Sequence, residues 1–231
     1  MTAAEPNFFD QWSVYARVVA ADYMFHRDIG AAVEAALRAR FADGPFSLLD
    51  LGCGDAKTLA PLLMRLRPAR YVGVDMTQAA LDLAARNLSA LPCPVTLRRA
   101  DLLEGFGTEK FDAIHASFSL HHLSTERKAA FFRRAAAALA DDGVLLLVDV
   151  MREEDETLDL YHRRYCEALR TAWTGLAPRD REEICAHIVA NDLPEPSSVL
   201  MAQAGAAGLS PLGEGAKFGW HRFVAFTPRA S

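Results

Sequence analysis

Apolar and polar positions along the chain follow two periods. Short apolar runs bounded by turn residues fall at Ser47–Leu51, Tyr71–Asp75, Pro94–Leu102, Lys110–Ala116 and Val144–Val150. Runs of that length and composition read as strands. Val144–Val150 is almost continuously apolar, as a strand covered on both faces should be. Between these runs the spacing turns helical. Ala56–Arg67 follows Asp55 as its expected N-cap, Gln78–Leu88 follows Thr77, and a helix from Ser124 to Leu139 precedes Asp142-Gly143. Two helices are expected before the first strand. Residues 7–20 place Phe8, Trp12, Tyr15 and Val19 on one face, and Tyr23–Phe41 does the same with Ile29, Val33 and Leu37. After Val150 the alternation stops. Helices are expected over Glu153–Trp173, Pro178–Ala190 and Pro196–Ala207, broken at Asn191–Pro196. Leu209–Glu214 and Phe218–Thr227 read as an antiparallel pair around Gly213-Glu214-Gly215. Strands alternating with helices imply an α/β sheet covered on both faces. No internal repeat is present.

Composition narrows the class. The 231 residues are 51% hydrophobic and 24% charged, which suits one large domain or a domain with a lid. A net charge of -5 argues against a general nucleic-acid or anionic-membrane surface. Arg163-Arg164 reads as a solvated helix face. The four cysteines form no C-x-x-C pair, so no zinc signature arises from them. No signal segment and no apolar run long enough to span a bilayer is evident, so a reduced cytoplasmic protein is expected.

Candidate chemistry starts at Gly52-Cys53-Gly54. Two glycines between a strand and a helix permit positive φ and close backbone approach. They are expected to leave backbone N–H groups facing a crevice beyond the strand's carboxyl end, where open α/β sheets bind ligands. A dinucleotide fingerprint wants a third small residue, and that place is Lys57; Asp55 within the turn would repel a pyrophosphate. A cationic or zwitterionic ligand fits better. Cys53 reads as a small filler and not a nucleophile. Asp75 closes the second strand, where a carboxylate can accept two ribose hydroxyls.

The run Leu49-Asp50-Leu51-Gly52-Cys53-Gly54 resembles the first motif of class I S-adenosylmethionine-dependent methyltransferases, and later motifs follow in the expected order. The resemblance covers residues 45–150 by motif and 209–227 by pattern. It implies a doubly wound, seven-stranded, mostly parallel sheet of order 3-2-1-4-5-7-6 with an antiparallel terminal hairpin. It also implies a helical N-terminal cap over residues 1–44 and a cofactor-binding domain over 45–231, carrying a helical lid at about 151–208. S-adenosylmethionine is the implied cofactor. Its implied contacts are Asp50, Gly52, Cys53, Gly54, Asp75 and Met76, then Asp101 and Leu102 at the adenine, then Ser117 and Phe118 on the loop passing the methionine end. Phe118 would lie near the sulfonium, where an aromatic face attracts a cation.

The acceptor is expected to be a small molecule. The Asn/Asp-Pro-Pro-aromatic signature of many DNA and protein-glutamine methyltransferases is replaced by Ser117-Phe118-Ser119-Leu120. Tyr15, Tyr23, His26, His121, Tyr161, Tyr165 and Trp220 are the candidate acceptor contacts. His121 is the candidate general base, with His26 and His221 as further candidates. Of the neighbours His121 and His122, the latter is expected to fix the loop and the former to be more exposed. No metal is expected, because adjacent histidines without a nearby Cys or carboxylate are a weak ligand set. A nicotinamide oxidoreductase and a non-catalytic or cofactor-modifying S-adenosylmethionine protein of the same fold are the alternatives. Oligomeric state is not readable.

Overall fold

The computed structural model describes residues 8–42 and 44–229, with side chains from residue 14 onward. Phe8 and Trp12 therefore lie outside the described side chains. In chain order the elements are α1 (Phe8–Ala20), α2 (His26–Phe41), β1 (Ser47–Leu51), α3 (Ala60–Leu66), β2 (Arg70–Asp75), α4 (Gln78–Asn87), β3 (Val95–Arg99), β4 (Phe111–Ser117), α5 (Thr125–Ala138), β5 (Leu139–Val150), α6 (Leu158–Ala172), α7 (Pro178–Asn191), α8 (Ser197–Ala206), β6 (Leu209–Pro211), β7 (Ala216–Phe218) and β8 (His221–Pro228).

The sheet runs β3-β2-β1-β4-β5-β8-β6, the expected order, with β7 as an additional short strand on β8. β1 to β5 are parallel; β8 is antiparallel to β5, β6 and β7. Period-two alternation then separates two cores. Leu49, Leu51, Val72, Val74, Ile114 and Leu147 face α5 and α8, meeting Phe131, Phe132, Leu200 and Ala204. Leu48, Tyr71, Ala113, Leu146 and Val148 face α2, α3 and α4, meeting Val33, Leu37, Leu63 and Ala84. Each such leucine, wholly removed from water, contributes about 1.5–3 kcal/mol before ordering costs. A third core joins α6 and α7 to Val18 of α1 through Tyr161, Tyr165, Leu169, Trp173 and Ile188.

Three element boundaries and one cap bond depart from the sequence expectation. Asp55 does not cap a helix from Ala56: its carboxylate accepts from the Lys57 N–H at 3.1 Å, and Ala56 takes φ 54°. That left-handed residue delays α3 to Ala60, with Pro61 in its first turn. Thr77 holds the cap position of α4 without a side-chain cap bond, because Asp75 Oδ1 accepts from its N–H at 2.8 Å instead. β5 starts at Leu139, directly from α5, and a register shift between Phe111 and Ala113 absorbs Asp142-Gly143. α6 starts at Leu158, where the Thr157 hydroxyl accepts from the Leu160 N–H.

Candidate active site

The carboxyl ends of β1, β2 and β4 meet at the glycine turn. Gly52 and Gly54 adopt φ 73° and 53°, which β1 requires to reverse beneath β2. The expected free amides are absent from this turn. The N–H groups of Gly52 and Cys53 both donate to the Val74 carbonyl, at 2.8 and 2.9 Å, and that of Gly54 donates to Asp75 Oδ2 at 3.0 Å. They are spent on the end of β2, so residues 52–54 offer no anion nest for a pyrophosphate. A Cβ on Gly52 would stand 2.7 Å from Ser119 Cβ and 3.7 Å from Leu102 Cδ1. The turn, the β4–α5 loop and Leu102 therefore close on one another without room for a side chain.

Asp75 has four lone-pair positions, and Gly54 and Thr77 occupy one on each oxygen. One acceptor position per oxygen remains, the number that a vicinal diol needs. Met76 beside it is 68% exposed on the rim. Asp101 is more heavily engaged. It accepts from the Leu103 N–H at 2.9 Å and from Arg127 Nη2 at 2.8 and 2.9 Å, which leaves one position on Oδ2.

Asp50 lies elsewhere. It is buried, with Oδ2 accepting from Tyr71 at 2.7 Å and Oδ1 2.7 Å from His115 Nδ1. That cluster braces β1 against β2 and β4 beneath the turn, so Asp50 supports the crevice from inside the sheet. Cys53 is also buried there, and burial followed by the Asp50 charge pushes its thiol far above the ordinary range. A protonated, covered thiol is no nucleophile.

Beyond Ser117, at the end of β4, Phe118 takes φ 51° while its N–H donates to the Val148 carbonyl at 2.9 Å. Phe25 and Asp22, at the entry to α2, also have positive φ, 58° and 56°. Non-glycine residues in this region are strained and gather at ligand sites. The Phe118 ring is edge-on to His26 (centroids 5.5 Å apart) and to His221 (5.2 Å). Tyr15 stands edge-on to His26 at 6.3 Å, and burial, then the Asp55 charge, pushes its phenol up to about 12.

His26 Nε2 is buried and makes no hydrogen bond. Burial holds the imidazole below its ordinary pKa against the opposing pull of Asp22 and Asp55. His221 Nε2 is 3.3 Å from the Tyr165 hydroxyl, and burial lowers this imidazole to about 4. Next to it a cavity of about 300 Å³ is walled by Tyr23, Phe25, Tyr165, Trp173, Trp220 and His221. Tyr23 is fixed by stacking on Trp173, centroids 5.2 Å apart, and by accepting the Gly175 N–H at 2.7 Å. Arg164, expected to be merely solvated, stacks 4.5 Å over Trp220 and pairs with Glu156 at 2.6 Å. Tyr161 is fully buried in the third core and does not line this cavity.

His121 is not the exposed histidine of its pair. Its side chain is 9% exposed against 42% for His122. His121 Nδ1 bonds Asp149 Oδ1, its N–H donates to Asp149 Oδ2 at 2.9 Å, and its carbonyl accepts from Leu193 at 2.8 Å. Burial opposes its charged form, but Asp149 outweighs burial and raises the imidazole above its ordinary value. This imidazole is held by one carboxylate, Asp149, and faces a second, Asp192. The sequence order hid this, because the three-residue turn at Leu120–His122 rotates His121 inward onto β5.

Residues 49–145 match the family model described as a methyltransferase domain. Over 87 residues the chain is 36% identical to the release factor glutamine methyltransferase of Geobacter sulfurreducens; the match covers 38% of this chain and 30% of that protein. The chain thus spans about a third of the length of that curated relative. Among solved structures, an S-adenosylmethionine-dependent methyltransferase from Clostridium acetobutylicum superposes with TM-score 0.68 at 12% identity, covering 97% of this chain and 100% of the other. Magnesium protoporphyrin IX methyltransferase from Synechocystis, with bound S-adenosylhomocysteine, superposes with TM-score 0.63 at 18% identity, covering 98% and 90%. Residues 49–145 thus match a methyltransferase domain, and the chain as a whole shares the fold of those solved structures. Among the described residues no helix is long and apolar enough to cross a membrane.

Proposed function

We propose that this protein transfers a methyl group from S-adenosylmethionine to a small-molecule acceptor. The carrying observation is the arrangement of Asp75, Gly52 and the Phe118–His26 pair around one crevice, with His26 Nε2 buried and unpartnered. The residues present fit the cofactor. Asp75 keeps two acceptor positions for ribose hydroxyls, Leu102 and Met76 give the base apolar contact, and Phe118 offers an aromatic face to a cation. When bound, the cofactor supplies an electrophilic methyl on a sulfonium.

The chain's own part is mainly alignment, which can supply effective molarities of about 10⁵ M or more. The cavity walled by Tyr165, Trp173 and Trp220 suits a planar or apolar acceptor. His26, kept neutral by burial, takes the proton of a hydroxyl acceptor as its oxygen attacks. A small acceptor is favoured over nucleic acid by the net charge of -5, and over a protein glutamine by Ser117-Phe118-Ser119-Leu120 in the fourth-strand loop. The four cysteines, all free, suit a reducing cytoplasmic setting.

The test is incubation of the protein with methyl-labelled S-adenosylmethionine and a cell extract split by size. Label is expected in the low-mass fraction, and at the blank level there with His26→Ala. Label confined to protein or nucleic acid would overturn the acceptor class.

A further inference from the structure

The segment Asp192–Pro196 is bonded to the β4–α5 loop, α5, α6 and the residues just after β5. Its Leu193 N–H donates to the His121 carbonyl at 2.8 Å, Lys128 Nζ bonds the Leu193 carbonyl, and Arg152 Nε reaches the Pro194 carbonyl at 3.0 Å. His162 Nε2 lies 3.0 Å from the Asp192 carbonyl. These bonds fix the Asp192 side chain, which is only 6% exposed, against the two adjacent histidines. Asp192 Oδ1 stands 3.4 Å from His122 Nδ1 and 3.7 Å from His121 Nε2 but forms a hydrogen bond with neither, nor with any other described group. A buried carboxylate oxygen left without a partner is costly, and its retention calls for an explanation.

We propose that His121, His122 and Asp192 bind one divalent transition cation of the zinc class. Their three donor atoms lie within 4.8 Å of one another. Donors about 2.0–2.1 Å from a tetrahedral ion are separated by about 3.3 Å, so the two contacts made by Asp192 Oδ1 already approach the edges of such a shell. Two imidazoles and one carboxylate suit zinc or its neighbours in the first transition row; the all-oxygen preference of magnesium and calcium does not match. The arrangement behind the ligands agrees. His121 presents Nε2 because Nδ1 is held by Asp149, the carboxylate–histidine support usual behind a metal-bound imidazole. Asp149 is in turn fixed by the Val150 and His121 N–H groups, at 2.8 and 2.9 Å. His187 of α7, its ring 6.0 Å from that of His122, is the nearest further imidazole; water serves otherwise as fourth ligand.

Ligands adjacent in the chain do not reveal this set. The carboxylate arrives from 70 residues beyond His122, at the residue ending α7. A cation here joins the β4–α5 loop to the C-terminal end of α7, two segments with no covalent reason to stay together. Its role is that of a clamp, and it does not depend on methyl transfer.

The experiment is calorimetric titration of ZnCl₂ into chelator-treated, dialysed protein, repeated with His122→Ala and Asp192→Asn. His122 is half-exposed, so its variant is expected to fold, which circular dichroism melting checks. One ion per intact chain is expected, with binding at least about 100-fold weaker in both variants. CoCl₂ should give the intense visible bands of a tetrahedral site in the parent chain and not in His122→Ala. No stoichiometric binding by the intact chain, or equal affinity in a folded His122→Ala variant, overturns the proposal.

Discussion

The His26 ring meets the Phe118 ring edge-on at 79°, centroids 5.5 Å apart, and joins the N-terminal helices to the loop after β4. Its Nε2 is buried and unpartnered, as the proposed proton transfer requires. His26→Ala should slow methyl transfer to a hydroxyl acceptor by about 10²–10⁴-fold with cofactor affinity unchanged. Burial holds the pKa below the ordinary 6.5, so the acid limb of the wild-type rate should have its midpoint below pH 6.5. A variant with the wild-type rate and profile removes His26 from the chemistry.

Asp75 holds the glycine turn through Gly54 and keeps one acceptor position on each oxygen. Asp75→Asn retains its shape and removes its charge. Cofactor affinity should drop by about 1.5–3 kcal/mol, the worth of hydrogen bonds to a charged group. Calorimetry with S-adenosylhomocysteine measures this directly, and unchanged affinity would remove the ribose assignment.

Gly52 combines φ 73° with a Cβ position 2.7 Å from Ser119 Cβ. Gly52→Ala should cost about 1–2 kcal/mol of stability from left-handed strain alone. It should weaken cofactor binding further by pushing Ser119 and the β4–α5 loop outward. Urea unfolding separates the two effects. Wild-type stability and affinity together would mean that the turn tolerates a side chain.

His221 stays neutral in the folded chain to about pH 4, because burial and the nearby His26 disfavour its charge. The unfolded chain binds that proton below about pH 6.5, so the unfolded state holds more protons between the two values. Stability therefore falls as pH falls through this window, by at most about 1.4 kcal/mol per pH unit from this group, and is unaffected above it. His221→Asn should show a shallower loss between pH 6.5 and 4 than wild type. Parallel curves would show that the group does not titrate as its burial demands.

Much of this fold can be read from pattern alone. The five strands and the antiparallel return at the end are legible in short apolar runs alternating with helices, whereas the strand order is what the resemblance carried by Leu49–Gly54 implies. The start of α3 departs because a local polar bond overrides spacing: Asp55 turns back onto the Lys57 N–H. The site is legible in position only where a residue ends or follows a strand, as Asp75 and Phe118 do. It was illegible where the decisive partner is distant in sequence. Nothing near His121 announces Asp149 or Asp192, and nothing near Asp50 announces Tyr71 and His115, which occupy its carboxylate. Tyr161 and Tyr165 share a helix face, yet only Tyr165 reaches the cavity; depth along that face depends on how α6 packs against Trp220.

The most direct test is a crystal structure of the protein soaked with S-adenosylhomocysteine. The account predicts both ribose hydroxyls on Asp75, the base against Leu102, and the sulfur facing the gap between Phe118 and His26. A ligand seated elsewhere, or one whose ribose leaves Asp75 untouched, would contradict it.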